Sequence, residues 1–284
     1  PMKRVLSLPV MLIAAFLAPD DLQSQAWSAA EEEGVVAAAM DYMDGALNVD
    51  AERVARGVHM ELNKVMIRTL PQTGRQVLAY NTHTTLVEAV RGIAARVANV
   101  DKTVDVTVFD IGNDLAVARA VGELGYDFLQ LARIDGEWKI VNVLWARNQL
   151  ASGGGQNSEE DRAGVEAAAL DYIEGAYSGD ADRMARALHP ELNKVLLTRH
   201  RETGMPFLYK MGASDLIEGT RAGLGLLDEG DRQIEVEIYD LSHDIAQVKV
   251  ASAMYIDYLQ LARVNEEWKI INVLWVPNPD RPGQ

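Results

Sequence analysis

Cysteine is absent from the 284 residues of this chain. Without a thiol, the protein can form no disulfide, no thiolate zinc site and no cysteine nucleophile. Histidine is also scarce, and the five histidines have no spacing suited to a metal: His59, His83, His189, His200 and His243. The glycine-rich stretch 152–155 lacks the lysine and flanking strand of a phosphate-binding loop. The sequence therefore predicts neither a metal nor a cofactor.

Basic residues are also few compared with acidic ones. Lysine and arginine number 27 against 42 acidic residues, which gives a formal net charge of −15 and a pI near 4.8. Such a surface repels a phosphate backbone and an anionic membrane, so nucleic acid is not expected as a partner. The chain is nevertheless 48% hydrophobic and 24% charged, a composition typical of soluble globular domains with real cores.

The only long apolar run lies near the N-terminus. Lys3 and Arg4 precede an apolar stretch over 5–18, and Ser24-Gln25-Ala26 follows with small residues where a signal peptidase reads. The run is shorter than the ~20 residues that a membrane-spanning helix needs. We therefore predict a signal peptide over 1–26, cleavage before Trp27 or at a second site before Glu31, a periplasmic or secreted protein, and no stable membrane anchor after cleavage.

An internal repeat dominates the rest of the sequence. The segment DFLQLARIDGEWKIVNVLW at 127–145 returns as DYLQLARVNEEWKIINVLW at 257–275, and ELNKV at 61–65 returns at 191–195. The two copies align without a gap at an offset of 130 positions. Because this period is too long for a solenoid, each copy is expected to form a domain.

Each copy reads as two helices, a hairpin, a third helix and a three-stranded antiparallel meander. Such a sheet has to bury one face, and the helices are what it can bury that face against. We predict a first domain over 31–148, a Gly/Ser linker over 149–157, a second domain over 158–277 and a tail over 278–284. The predicted fold class is α+β.

Several stretches of the second copy resemble the putative lumazine-binding family of the nuclear transport factor 2-like (cystatin-like) superfamily. These stretches are ALDYIEGAYSGDADRM, ALHPELNKV, LIEGTR, IEVEIYD and DYLQLARVNEEWKIINVLW. The resemblance implies a cone in each domain, formed by a curved sheet wrapped on three helices and open at one end to a pocket. The first copy departs from the pattern at HMELNKV and around Tyr80, which puts equal function of the two copies in doubt.

The faces of the last hairpin follow from the alternation of strand side chains. If the turn is Asn265-Glu266, Asp257 and Asn272 face the cone, whereas Tyr258, Gln260, Lys269 and Trp275 face outward. A one-residue bulge would exchange the faces. We predict that the outward residues pair with their first-copy counterparts, Phe128, Gln130, Lys139 and Trp145, so that the chain is its own pseudo-dimer.

The candidate ligand-binding residues are those that the helices and the meander of each copy would bring together inside the cone. They are Tyr172, His189, Met211, Tyr255, Asp257 and Asn272 in the second copy, and Tyr42, His59, Asp127 and Asn142 in the first. Asp257 in an apolar cone would suit proton transfer, and His189 could act as acid, base or donor. Both also have structural alternatives: a hydrogen bond to Asn272 for the carboxylate, and a helix C-cap for the histidine.

Three functions are compatible with these residues. The favoured interpretation is an exported protein that binds a small, partly apolar molecule, chiefly in the second domain, where Tyr255 and Met211 replace Gly125 and Asn81. The alternatives are a cofactor-independent isomerase, dehydratase or hydrolase using Asp257 and His189, and a non-catalytic protein-interaction module. Binding without catalysis is favoured because no motif meets the standard of a catalytic signature.

Overall fold

The structure is a computed structural model that describes residues 27–148 and 158–281. The predicted signal peptide and interdomain linker, and residues 282–284 of the predicted tail, lie outside the described residues. Within the described ranges, no helix is both long and apolar enough to cross a bilayer.

The first domain begins with a long helix that Ser28 caps. The Ser28 hydroxyl and the Glu31 carboxylate bond each other's backbone N–H groups, a capping box that fixes where α1 begins. Asp50 caps the next helix in the same domain. The elements are α1 (Ala29–Leu47), α2 (Ala51–Gly57), β1 (Val58–Thr69), β2 (Gln76–Asn81), α3 (His83–Arg91), α4 (Ala94–Val97), β3 (Asp105–Gly112), β4 (Leu115–Val121), β5 (Gly125–Ile134) and β6 (Glu137–Arg147).

The second domain repeats this order, with glycines and a 3-10 turn at Glu229–Asp231 in place of α4. Its elements are α5 (Glu159–Ser178), α6 (Ala181–Ala187), β7 (Leu188–Arg199), β8 (Pro206–Met211), α7 (Ala213–Arg221), β9 (Glu235–Ser242), β10 (Ile245–Ala251), β11 (Tyr255–Val264) and β12 (Glu267–Pro277). Helix α6 ends at Ala187, and His189, considered above as a helix C-cap, belongs to β7.

Each domain has one six-stranded sheet, in the orders β2-β1-β6-β5-β4-β3 and β8-β7-β12-β11-β10-β9. The long helix of each domain packs on the concave face, where apolar residues of α1 and α5 meet those of the meander in separate cores. The α+β fold of two curved sheets wrapped on helices is therefore confirmed.

A bulge in each last hairpin changes the predicted faces. Gln260 pairs with Asn272 but Leu261 pairs with Ile270, so Ile271 is an extra residue on β12. Gln130 and Asn142 show the same shift. Beyond the bulge the parity is reversed, and Trp275 lies opposite Asp257 on the concave face.

The predicted positions of four residues are wrong for this reason. Asn142 and Asn272 lie on the outer face and not in the cones, whereas Trp145 and Trp275 lie inside the cones and not at the interface. Lys139 and Lys269 also differ from the prediction, because their ammonium groups donate to the Arg56 and Arg186 carbonyls of their own domains.

The outer faces of the two sheets pack on each other through two related apolar clusters. One joins Phe128 and Leu144 of the first domain to Ile245 and Ile271 of the second. The other joins Val117 and Val141 to Val195, Tyr258 and Leu274. A hydrophobic core of this kind between two sheets is that of a sandwich or an obligate dimer.

A buried chain of amides crosses the centre of this interface. Gln130 Nε2 donates to the Tyr258 carbonyl at 2.8 Å, and Gln260 Nε2 donates to the Phe128 carbonyl at 2.9 Å. Asn142 and Asn272 donate to the side-chain oxygens of these glutamines at 2.8 Å, and they accept from Asn193 and Asn63 of the opposite domains, also at 2.8 Å. The amides of Gln130, Gln260, Asn142 and Asn272 are fully buried, and each is bonded both within its own domain and to the opposite domain. These bonds favour one relative register of the two sheets.

Candidate functional site

A buried Lys–Tyr–Asp group lies at the floor of the first cone. Asp127 of β5 accepts a hydrogen bond from the Tyr42 hydroxyl at 2.5 Å and an ion pair from Lys64 Nζ at 2.9 Å. Lys64 also donates to the Tyr42 oxygen and lies 4.6 Å from the Trp145 ring centre. Helix α1 and strands β1, β5 and β6 each supply one of these residues.

The second domain repeats the group. Asp257 accepts from the Tyr172 hydroxyl at 2.8 Å and from Lys194 Nζ at 2.9 Å, and Lys194 lies 4.4 Å from the Trp275 ring centre. The second oxygen of Asp257 is buried with no hydrogen-bond partner among the described residues. The same ion pair in both domains indicates that it belongs to the fold.

Burial perturbs the titration of these groups. Desolvation lowers the pKa of Lys64 and of Lys194, and the facing carboxylates oppose that shift. Desolvation and the neighbouring carboxylates raise the pKa of Tyr42 and Tyr172 well above the ordinary value for tyrosine. Both phenols therefore remain neutral donors at physiological pH.

A cavity of about 190 Å³ opens above the group in the first domain. Its walls are largely apolar, and its polar lining comes from Tyr42, Lys64 and Asp127 at the floor and Arg96 at the rim. The apolar lining side chains come from α1, α3, the α4 region, the β4–β5 loop and β6: Met43, Ala46, Leu47, Leu86, Ala89, Val90, Ile93, Val97, Leu124 and Trp145.

Gly125 leaves this cavity open. A Cβ built there would lie 2.6 Å from Asp127 Oδ1, so the carboxylate approaches the bare backbone of the strand. Tyr255 occupies the equivalent position in the second domain, where its ring stacks on Tyr177 at 6.4 Å and meets Trp275 edge-on at 5.3 Å. The Tyr255 ring thus fills the space that Gly125 leaves free.

The second cone was predicted to hold the better-lined pocket. In that cone Tyr255 packs beside Tyr177, whose hydroxyl donates to Ser252 Oγ at 2.7 Å. The first-domain residues at the positions of Tyr177 and Ser252 are Leu47 and Gly122, which are smaller. Three smaller side chains therefore account for the open cavity.

The histidines lie away from these groups. His59 and His189 are the second residues of β1 and β7, and their Nδ1 atoms accept from the N–H groups of Glu61 and Glu191 at 3.1 Å. Burial lowers the pKa of both imidazoles. The structure does not bring His189 to Asp257, and His59 is not part of the cavity lining. Neither histidine caps a helix through its side chain.

The other predicted site residues have mixed positions. Tyr42 and Asp127 line the first cavity, and Tyr172, Asp257 and Tyr255 form the closed group of the second domain. Met211 is the last residue of β8 and pairs with Lys194 across the hairpin. Asn142 and Asn272 belong to the interface.

Lys64, Lys194 and Arg96 were not singled out from the sequence. The sequence did contain a signal for the two lysines. The motif ELNKV occurs in both copies, and it places a lysine in a strand whose other residues are about half apolar. No comparable signal in the sequence pointed to Arg96. The equivalent residue in the second copy is Leu226. Among the described residues, no cluster of three potential ligands could hold a metal ion.

Both copies match the model of the family described as "Putative lumazine-binding", over residues 30–146 and 160–276. The chain therefore belongs to this family, in tandem duplication. The family's description concerns small-molecule binding. A comparison with curated proteins gave no match.

Solved structures that resemble the chain include nuclear transport factor 2-like and cystatin-like proteins. One from Silicibacter pomeroyi, of unknown function, is 18% identical, covering 43% of this chain and 100% of its own, with a TM-score of 0.36. A cystatin-like protein of unknown function from Nostoc punctiforme is 15% identical, covering 45% and 98%, with a TM-score of 0.34. A ketosteroid isomerase-like protein from Erwinia carotovora atroseptica is 19% identical, covering 42% and 98%, with a TM-score of 0.31. Each match spans less than half of this chain.

Proposed function

We propose that the protein binds a small, partly apolar molecule in the cone of its first domain, and that the second domain serves mainly as the structural partner of the first. The observation that carries the proposal is the cavity above Tyr42, Lys64 and Asp127. Apolar walls with a few convergent polar groups are what a small-molecule site requires. The description of the family supports a ligand of this general kind.

The cavity also limits the size of the ligand. Its volume of about 190 Å³ is below the roughly 300–1,000 Å³ of sites for drug-sized molecules, and it equals the space of about six waters in the liquid. The pterin-like ring that the family's name denotes is one candidate. An unbranched acyl chain is another, because most of the wall is aliphatic.

Binding is proposed rather than turnover because of how the floor is bonded. The Asp127 carboxylate already accepts from both Tyr42 and Lys64, and the same bonds recur in the closed second cone. A carboxylate held in this way is a weak candidate for a general base, which has to exchange a proton with the substrate.

The test uses octanamide and lumazine as probes in titration calorimetry. We expect octanamide, lumazine or both to bind the wild-type protein, and Gly125→Tyr to abolish the binding because it copies the side chain that closes the second cone. The family name alone does not decide between the two probes. Absence of binding by both probes at millimolar concentration contradicts the proposal.

A reciprocal variant tests occlusion in the second domain. Tyr255→Gly, combined with Tyr177→Leu and Ser252→Gly, gives the second cone the three smaller side chains of the first and should add a second site to the wild-type protein. When Gly125→Tyr is added to these substitutions, one site should remain, now in the second domain. If Gly125→Tyr leaves probe binding unchanged, the ligand does not enter the first cone.

We also propose that the chain is exported and that its mature form begins at Trp27. Supporting this site over the one before Glu31, Ser28 caps α1 and Trp27 Nε1 donates to Glu32 at 3.1 Å. Cleavage before Glu31 would remove the cap, which costs about 1 kcal/mol of helix stability. The intact mass of the protein from its own host tests both points, and retention of the segment 1–26 would contradict export.

A further inference from the structure

The charges around the first cavity do not balance. Lys64 and Arg96 contribute two positive charges and Asp127 one negative charge, which leaves a net +1 on the lining of a chain whose formal net charge is −15. Lys64 is neutralised by its ion pair with Asp127. The remaining positive charge therefore belongs to Arg96.

Arg96 is available to a ligand. It lies in the short helix α4 and is exposed, whereas the next residue, Val97, is buried in the core and fixes the helix against the cavity wall. Within residues 27–148 and 158–281, the Arg96 guanidinium makes no salt bridge and no hydrogen bond. Arg53, Arg56, Arg119 and Arg133 of this domain are paired with carboxylates. Arg68, Arg75 and Arg147 also form no salt bridge among the described residues, but they do not line the cavity.

The second domain provides an internal comparison. Leu226 stands at the position of Arg96, so the three equivalent positions, Lys194, Leu226 and Asp257, sum to zero charge. The unpaired cation therefore occurs in the copy whose cone is open and is missing from the copy whose cone is closed by Tyr255. Because the unpaired arginine and the open cavity occur in the same copy, we connect Arg96 with the ligand of that cavity.

We propose that the first cone binds small amphipathic carboxylates, with the apolar body against Trp145 and the aliphatic wall and the carboxylate at the rim on Arg96. This inference rests on the proposed function and names its ligand class. A planar guanidinium matches a carboxylate with two parallel hydrogen bonds. A singly charged group is favoured over a phosphate because repulsion by the acidic surface grows with the charge of the ligand.

The experiment compares octanoate with octanamide, which has the same chain and no charge. In wild-type protein at neutral pH, we expect octanoate to bind about three- to tenfold more tightly than octanamide. Arg96→Gln should weaken octanoate to the level of octanamide and leave octanamide unchanged. Raising the ionic strength to about 1 M, where charges are screened beyond about 3 Å, should reduce the difference in the wild type.

Arg91→Gln is the matched control. It removes the same charge from an exposed position of the neighbouring helix α3 that does not line the cavity. It should leave the preference for octanoate intact. Equal binding of the two probes by the wild type, or equal effects of Arg91→Gln and Arg96→Gln, overturns the assignment of Arg96.

The outcomes distinguish this inference from the proposed function. If both probes bind equally and Gly125→Tyr abolishes both, the cavity binds small molecules but Arg96 does not select carboxylates. If octanoate and octanamide do not bind the wild type but lumazine does, only the carboxylate proposal fails. If none of the three binds, both proposals fail.

Discussion

At the scale of single residues, the buried ion pair of each cone is the contact whose disruption should cost the most. Lys194 and Asp257 are almost completely buried, with side-chain exposures of 7% and 0%. Removing one partner of such a pair leaves the other charge without compensation in a medium of low dielectric constant, which costs far more than the pair contributes in place. The carboxylates are therefore structural as well as candidate site residues.

Asp257→Asn should lower the free energy of unfolding by about 3 kcal/mol, because Lys194 would lose its counter-charge. Adding Lys194→Met should recover most of the loss, since the amide still accepts from Tyr172 and no buried charge remains. Urea titration measures both variants, and equal destabilisation of the single and double variants would contradict the argument.

At the scale of elements, the end of the long helix differs between the copies. Gly179 terminates α5 in the left-handed region at φ 71°, and the equivalent Val49 adopts φ 59° after α1. A β-branched residue is strained there, whereas glycine is not. The first domain therefore carries a local strain that the second does not.

Val49→Gly should raise the free energy of unfolding by about 0.5 kcal/mol, the difference between the relieved backbone strain and the greater flexibility of glycine in the unfolded chain. Gly179→Val is the reciprocal variant. It should cost at least about 1 kcal/mol, because a Cβ there would also lie 3.1 Å from Leu226. Denaturant unfolding tests the pair, and destabilisation by Val49→Gly would show that the packing of Val49 outweighs its strain.

At the scale of the whole molecule, the fully buried amide chain should hold the domains together. Gln260→Glu would place a carboxylate against the Phe128 carbonyl, where Gln260 Nε2 now donates. A buried, unpaired charge costs several kcal/mol. The interface, rather than the linker, is therefore expected to maintain the paired arrangement.

A protease site placed within residues 149–157 tests this expectation. After cleavage, the halves of the wild-type protein should elute together in gel filtration, and those of Gln260→Glu should separate. Gln72→Glu, in an exposed turn, adds the same charge and should behave as the wild type. Separation of the wild-type halves would show that the linker is required.

Alkaline pH should also destabilise the whole molecule. Eight of the nine tyrosines have a raised pKa, chiefly through burial: Tyr42, Tyr80, Tyr126, Tyr172, Tyr177, Tyr239, Tyr255 and Tyr258. The unfolded chain loses these protons near pH 10 while the folded chain keeps them, so the free energy of unfolding falls as the pH rises above about 10. The lowered pKa values of Lys64 and Lys194 make the free energy of unfolding rise with pH. The eight tyrosines outnumber these two lysines, so the net effect is destabilisation.

Absorbance at the tyrosinate band during a pH titration checks this prediction. Little tyrosinate should form near pH 10 while the protein is folded, and most of it should appear together with the loss of the circular dichroism signal. Gradual ionisation of most tyrosines in the folded protein would contradict it.

The sequence by itself determined the duplication and the fold class. The repeat at an offset of 130 positions, the capping residues and the strand alternation are local or linear patterns, and they predicted the helices, the hairpin and the meander of each domain except α4. The sequence also identified Tyr42, Asp127, Tyr172 and Asp257, because helix and strand periodicity point these side chains inward. It further identified Phe128, Gln130, Tyr258 and Gln260 as outward-facing.

Only the tertiary structure decided which residues share a face beyond the bulge and which cone is open. One extra residue, Ile271, exchanges Asn272 and Trp275 between the faces, and no local pattern marks it because the residues on either side are all compatible with a strand. The sequence shows that Tyr255 of the second copy stands where the first copy has Gly125. The effect of this difference on the pocket depends on how much free volume surrounds the side chain. Whether a tyrosine lines a pocket or fills it is fixed by the positions of Tyr177 and Trp275, which come from other elements of the fold.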